Sequence, residues 1–199
     1  MRLLLHVCCA PCLTVVLQGY RDLGYDVSGL FYNPNIHPWK ERERRLESLR
    51  DYASDADMEL LVEEEYPLEK NLRMLLSAEN RCAACFADRL GETARRAAEG
   101  GFGRFATTLT VSPYQRPDLI LAAGEAAAEE SGVPFSYRDY RPAFRRSVGV
   151  SRSLGLYRQP YCGCVMSERD RYLGVESPGE GEERFYEAGE PGPERIIGG

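Results

Sequence analysis

Short apolar runs that read as strands alternate along this chain with longer segments of helical period. That alternation confines it to an α/β fold, a mainly parallel sheet with helices on both faces. Residues 2–6 form the first apolar run. Residues 11–23 follow with Leu13, Val16, Leu17 and Tyr20 at helical spacing, behind Pro11, which suits a first turn. Residues 26–32 predict a second strand, Asn33-Pro34-Asn35 a turn, and residues 39–56 a charged amphipathic helix with Leu46, Leu49, Tyr52 and Ala53 on its inner face. A third strand is expected over 58–62. Helices are expected over 67–76 and 82–98, the second stopped by Gly100-Gly101. A β-rich segment over 104–110, an alanine-rich helix over 118–131, a short strand over 133–137 and a helix over 145–154 complete the pattern.

The 199 residues suit one catalytic domain, residues 1–175, with its own core. Residues 176–199 are rich in Gly, Pro and Glu with little to bury, and predict a flexible acidic tail. No run approaches the roughly 20 consecutive apolar residues of a membrane span, and residues 1–6 are too short for a signal-peptide core. A cytoplasmic protein with no membrane partner is expected. The net charge of −6 is uneven: residues 176–199 carry seven Glu against two Arg, so overall acidity says little about the body. Residues 138–158 hold six Arg (Arg138, Arg141, Arg145, Arg146, Arg152 and Arg158) against Asp139 alone, interleaved with Tyr140, Phe144 and Tyr157. Such a stretch, with Tyr137 before it, can neutralise phosphate and stack a splayed base.

Seven cysteines fall in three clusters: Cys8-Cys9-x-x-Cys12, Cys82-x-x-Cys85 and Cys162-x-Cys164. An odd count in a reducing compartment argues against structural disulfides and for metal ligands or redox thiols. The first cluster follows strand one, where an open parallel sheet places its ligand crevice. The second opens a helix, whose N–H groups favour thiolate. Zinc needs four thiolates in a closed tetrahedron and leaves three without a task. An iron–sulfur centre also takes four, and the remainder can hold a second metal or cycle as a redox pair, for which the small strained ring of a CxC disulfide is suited. The cysteine pattern therefore favours iron–sulfur.

Taken with Phe31-Tyr32-Asn33-Pro34-Asn35-Ile36-His37-Pro38, Arg81-Cys82-x-x-Cys85-Phe86, Thr107-Thr108-Leu109-Thr110-x-Ser112-Pro113 and Gly155-Leu156-Tyr157-Arg158-Gln159-x-Tyr161-Cys162-Gly163-Cys164, the first cluster resembles the QueH family of cobalamin-independent epoxyqueuosine reductases. The resemblance runs from about residue 3 to residue 166. It implies a Rossmann-like fold similar to the nucleotide α-hydrolase and PP-loop enzymes, and two-electron reduction of epoxyqueuosine to queuosine at the tRNA anticodon wobble position. The turn after strand one lacks the glycines of a PP-loop phosphate cradle, so thiolates and metal are expected to stand where relatives bind nucleotide. By resemblance Cys8, Cys9, Cys82 and Cys85 would bind a 4Fe-4S cluster, with Cys12 unassigned. Cys162 and Cys164 would form a redox-active pair or help hold a second, mononuclear iron.

Such a reaction needs tRNA carrying epoxyqueuosine, an external electron donor, and an acid for the leaving oxygen. Arg158, Tyr161 and His37 are candidate proton donors or substrate contacts, while His6 reads as a hydrogen-bonded core histidine. Arg138, Arg141, Arg145 and Arg146 are the candidate RNA contacts. Two other functions fit the same residues: a zinc-stabilised RNA-binding module without catalysis, and a dithiol oxidoreductase using Cys162 and Cys164 alone.

Overall fold

The computed structural model describes residues 1–174 and 189–198. Strand β1 (Arg2–His6) leads into helix α1 (Ala10–Arg21), then β2 (Asp26–Phe31), α2 (Trp39–Asp55), β3 (Leu60–Val62), α3 (Leu68–Ser77) and α4 (Arg81–Glu99). Strand β4 (Arg104–Thr107), a 3₁₀ turn (Thr108–Val111), α5 (Pro117–Ser131), β5 (Phe135–Tyr137), α6 (Phe144–Ser153), α7 (Val165–Leu173) and β6 (Arg195–Ile197) follow. The strands lie in the order β3-β2-β1-β4-β5-β6; the first five are parallel and β6 runs antiparallel to β5. This is the α/β sheet that the alternation predicts.

Alternation within β1 shows how the layers form. Leu3 and Leu5 face one side and pack with Leu13, Val16, Leu17 and Tyr20 of α1 and with Leu46 and Leu49 of α2. Leu4 faces the other and packs with Phe86 and Leu90 of α4 and Ile120 of α5. A strand buried on both faces must be apolar at every position, as Leu3-Leu4-Leu5 is. Tyr52, expected on the inner face of α2, is half-buried at its edge.

Three segments differ from expectation. The β-rich stretch ends at Thr107, whose side chain accepts the Leu109 N–H at 3.1 Å and turns the chain into the 3₁₀ helix. Helix α7 was not foreseen. Cys164 caps it, its Sγ taking the Ser167 N–H at 3.4 Å, and Asp170 ties it down through ion pairs with Arg81 of α4 and with Arg169. Of the segment expected to be a tail, residues 175–188 lie outside the described residues, but 189–198 pack against the body. Glu194 accepts the Tyr25 hydroxyl at 2.8 Å and that of Ser136, anchoring β6 on the sheet edge.

Helix α5 lies close enough to the sheet that a Cβ at Gly124 would stand 2.2 Å from the Phe135 ring, whereas one at Gly91 of α4 would meet nothing within 4 Å. Both glycines sit in helices, where alanine is intrinsically better by about 0.5–1 kcal/mol. Packing reverses the sign at one of them. Gly91→Ala should raise the denaturant midpoint, while Gly124→Ala should lower it by the equivalent of about 1–3 kcal/mol, as overpacking does.

Candidate active site

The strand order reverses direction between β1 and β4, so the segments leaving their carboxyl ends diverge and open a crevice there. Polar groups at the strand ends hold its floor. The Cys8 N–H donates to Thr108 Oγ1 at 3.2 Å, and Asn33 Nδ2 donates to the Val7 carbonyl at 2.8 Å. His6 is fully buried between Thr107 Oγ1 (2.9 Å) and the Tyr32 carbonyl (3.2 Å). Burial lowers its pKa to about 4, so it is the neutral core histidine that its place on a strand suggests.

A cavity of about 420 Å³ occupies the crevice, and Cys8, Cys12, Cys82, Cys85, Cys162 and Cys164 all line it. Cys9 lies behind, its Sγ accepting Gln159 Nε2 at 2.9 Å. All seven cysteines are free thiols. They fall into two groups.

Cys8, Cys9 and Cys12 bring their sulfurs within 4.8 Å of one another at the N-terminus of α1, with Cys8 and Cys9 3.6 Å apart. That separation is near the roughly 3.8 Å edge of a tetrahedral thiolate site with 2.3 Å metal–sulfur bonds. Hydrogen bonds from Cys12 and then Cys9 hold the Cys8 thiol well below its usual range. Bonding to Cys8 and Cys9 pushes Cys12 well above it. Cys9 is drawn down by Cys12, but its bond to Cys8 and its burial prevail and push it up to about 12. Cys8 is thus the sulfur of the trio that ionises first.

The second group faces it. Asn80 caps α4 by accepting the N–H groups of Cys82 and Ala83 at 3.1 Å, which sets Cys82 and Cys85 in the first turns. Cys85 and Cys164 pack together with Leu75, and burial pushes the Cys85 thiol up to about 12. Cys162 is exposed and accepts Gln115 Nε2 at 3.2 Å. Cys82 packs against the core that contains Cys8 and Cys9, and so links the two groups. Cys12, the cysteine without an expected partner, is the one that sits beside Cys8 and Cys9.

Two buried arginines escaped the sequence reading. Arg45, 1% exposed, pairs with Glu41 at 2.8 Å and donates to the carbonyls of Cys162 (2.8 Å) and Tyr161 (3.1 Å), so it holds the loop before α7. In that loop Gly163 has φ +145°, and a Cβ there would stand 3.2 Å from Asn35 Nδ2, so glycine alone fits. Arg89, also 1% exposed, donates from Nε to the Cys85 carbonyl at 3.3 Å. The signals were four-residue spacings, Glu41 to Arg45 and Cys85 to Arg89, which put each pair on one helix face.

The remaining candidates divide by where their polar atoms point. Tyr161 donates its hydroxyl to the His37 carbonyl at 2.6 Å, and burial raises its pKa. His37 accepts the Val165 N–H at Nδ1 (3.3 Å), its pKa lowered by burial, and its Nε2 has no partner among the described residues. Arg158 is exposed and lines the cavity. Arg138 donates to the carbonyls of Gly192 and Gly19, and Arg141 pairs with Asp139. On α6, Arg145 is exposed, and Arg146 is exposed with an ion pair to Glu190 at 3.2 Å. Tyr137 and Tyr140 are buried and do not present rings to solvent, whereas Phe144 and Tyr157 are half-buried.

Three thiols at a strand end facing four at helix ends are a donor set that fits a thiolate-bound metal centre. The family model described as epoxyqueuosine reductase QueH matches residues 3–170. A protein of Dehalococcoides mccartyi carrying that name is 39% identical over 178 residues, covering 89% of this chain and 98% of its own. One of Thermotoga maritima is 34% identical over 178 residues, covering 84% and 91%, and one of Acinetobacter baylyi is 34% identical over 207 residues, covering 96% and 93%. With the match spanning most of the chain and both cysteine groups, the chain belongs to the epoxyqueuosine reductase QueH family.

Proposed function

We propose that this chain reduces the epoxide of epoxyqueuosine to the cyclopentene of queuosine in the anticodon wobble position of tRNA. The observation that carries this reading is the convergence of two thiol groups on one 420 Å³ cavity at the switch point of the sheet, in a chain of this family. Both C–O bonds of the epoxide break, a C=C bond forms, and the oxygen leaves as water, which consumes two electrons and two protons. An external donor supplies the electrons. A 4Fe-4S cluster held by Cys8, Cys9, Cys82 and Cys85, with Cys12 beside the first two as an alternative ligand in their place, would supply electrons one at a time, and a second iron would supply a Lewis acid.

The chain's own residues bind, orient and protonate. Cys162 and Cys164 lie across the cavity from Cys8 as free thiols and can supply protons or cycle as a redox pair. Arg158 at the lining offers a fixed cation to the leaving oxygen or to a neighbouring phosphate. Tyr161 and His37, bonded to each other through the His37 carbonyl, set the position of the loop that carries Cys162 and Cys164. Among the described residues no helix is long and apolar enough to cross a membrane; a cytoplasmic site of action follows from the proposed tRNA substrate.

Incubating reduced, reconstituted protein with epoxyqueuosine-containing tRNA should yield queuosine on nucleoside analysis. Protein with its full metal content that leaves the epoxide intact would remove this reading; zinc in place of iron and sulfide would favour an RNA-binding module. Cys12→Ser should lower iron content below wild type and cut turnover at least tenfold, since its sulfur stands with Cys8 and Cys9. Wild-type iron and turnover in that variant would separate Cys12 from the centre.

The tRNA-facing surface rests on the outward arginines of α6. Replacing both Arg145 and Arg146 by Glu should weaken tRNA binding at least tenfold. It should also flatten the salt dependence by about 0.7–0.9 in the log–log slope for each phosphate that the protein no longer neutralises. An unchanged slope would place the RNA elsewhere.

A further inference from the structure

Arg89 is a buried cation that the reaction scheme above leaves without a task. It lines the cavity, is 1% exposed, and forms no ion pair with Asp or Glu among the described residues. Its Nε donates to the Cys85 carbonyl at 3.3 Å, its guanidinium carbon lies 5.6 Å from the centre of the Phe86 ring, and its Nη2 has no acceptor among the described residues. Neither a carbonyl dipole nor a ring face neutralises a full charge. Arg45, equally buried, has the Glu41 carboxylate at 2.8 Å. Arg89 has no such partner.

The charged and titratable groups around it narrow the choice of counter-ion. Asp88, its neighbour on α4, senses the Arg89 charge but makes no ion pair with it, its carboxylate oxygens both standing 3.4 Å from the Tyr32 hydroxyl. His6 on β1 is buried and neutral. The remaining groups that sense Arg89 are sulfurs: Cys82 and Cys85 on its own helix, Cys162 and Cys164 on the loop before α7, and Cys8 at the end of β1. They come from both thiol groups, so the guanidinium stands between the two halves of the site. A buried charge left unpaired costs several kcal/mol, and breaking such a pair is comparably destabilising. Negative charge at the sulfurs removes that cost.

We propose that Arg89 is the fixed counter-charge of the metal–thiolate centre and holds its reduction potential up. The inference rests on the reading of this cavity as a metal site. When the centre gains one electron its charge falls by one, while Arg89 keeps its proton and its charge. The added electron is therefore stabilised by Coulomb attraction in a medium of low dielectric. Without the guanidinium the oxidised form loses less than the reduced form, and the centre becomes harder to reduce. Arg89 acts through the centre, as a positioning charge rather than a group that touches the epoxide.

The test compares anaerobically purified holoprotein with its Arg89→Gln and Arg89→Lys variants. Each is titrated potentiometrically with dithionite, and iron, sulfide and thermal melting are measured on the same samples. Arg89→Gln, which keeps a donor for the Cys85 carbonyl but no charge, should lower the midpoint by at least 59 mV, a tenfold change in a one-electron equilibrium. Arg89→Lys should remain close to wild type. Metal lost from the Gln variant but kept by the Lys variant would also support the proposal, because the Lys variant keeps the positive charge while neither keeps the guanidinium plane. A Gln variant with wild-type metal and midpoint overturns it, and so does loss of metal from both variants, which assigns Arg89 to packing. Wild-type protein without a redox-active metal overturns the reading of the site itself, an outcome separate from any effect of the variants.

Discussion

The arrangement depends on the pairing of β1 with two parallel neighbours at once. Leu3, Leu4 and Leu5 are in register with Val27, Ser28 and Gly29 of β2 on one side and with Arg104, Phe105 and Ala106 of β4 on the other. Because all three strands point the same way, their carboxyl ends reach one edge of the sheet, and the helices that follow leave toward opposite faces. Cys8 is therefore carried to the mouth of the crevice by backbone hydrogen bonds, before any side chain of the site makes a contact. Thr108, one residue beyond β4, meets it there at 3.2 Å. A register slip of one residue in β1 would exchange Leu4 for Leu3 and Leu5 between two differently shaped cores, so packing on both faces protects the position of the thiols.

How far the fold was legible follows from what each segment buries. Strands β1 and β2 and helices α1, α2, α4 and α5 each bury an apolar face wide enough to leave a period in the sequence. Helix α7 buries only Asp170, which is held by arginines, so it has no apolar stripe to read. Strand β6 is three residues long and follows a Gly- and Pro-rich run, and a composition that reads as tail conceals the one carboxylate, Glu194, that secures it. Local spacing brought the cysteines to notice. It could not say which clusters meet, because Cys12 joins Cys8 and Cys9 through one turn of α1, while Cys82 and Cys85 meet Cys162 and Cys164 across more than seventy residues of chain.

The arginines show the same limit from the other side. In a charged helix such as α2 an arginine is expected in water, yet Arg45 is buried because Glu41 lies one turn earlier and two loop carbonyls lie above it. Composition alone gave residues 138–158 a single basic face. The fold divides it, turning Arg138 and Arg141 inward to hold the chain and Arg145 and Arg146 outward on α6. Contacts with Gly192 and Glu190 bring residues 189–198 onto this same region, so Glu190 already answers part of the Arg146 charge.

Charge balance links the thiols, the arginines and the helix ends into one device. Without metal, Cys8 is the thiol held well below its usual range, while Cys9 is pushed up to about 12 and Cys12 well above a free thiol, so their protons are the harder to remove. Any metal that binds must displace those protons, and the negative charge left on the sulfurs then grows. The N-terminus of α1 beneath the trio, that of α4 beneath Cys82 and Cys85, and the buried guanidinium of Arg89 at the cavity lining are positive ends at this space, whereas Arg45 is answered by Glu41. Metal loading and thiol ionisation would therefore favour each other at such a site.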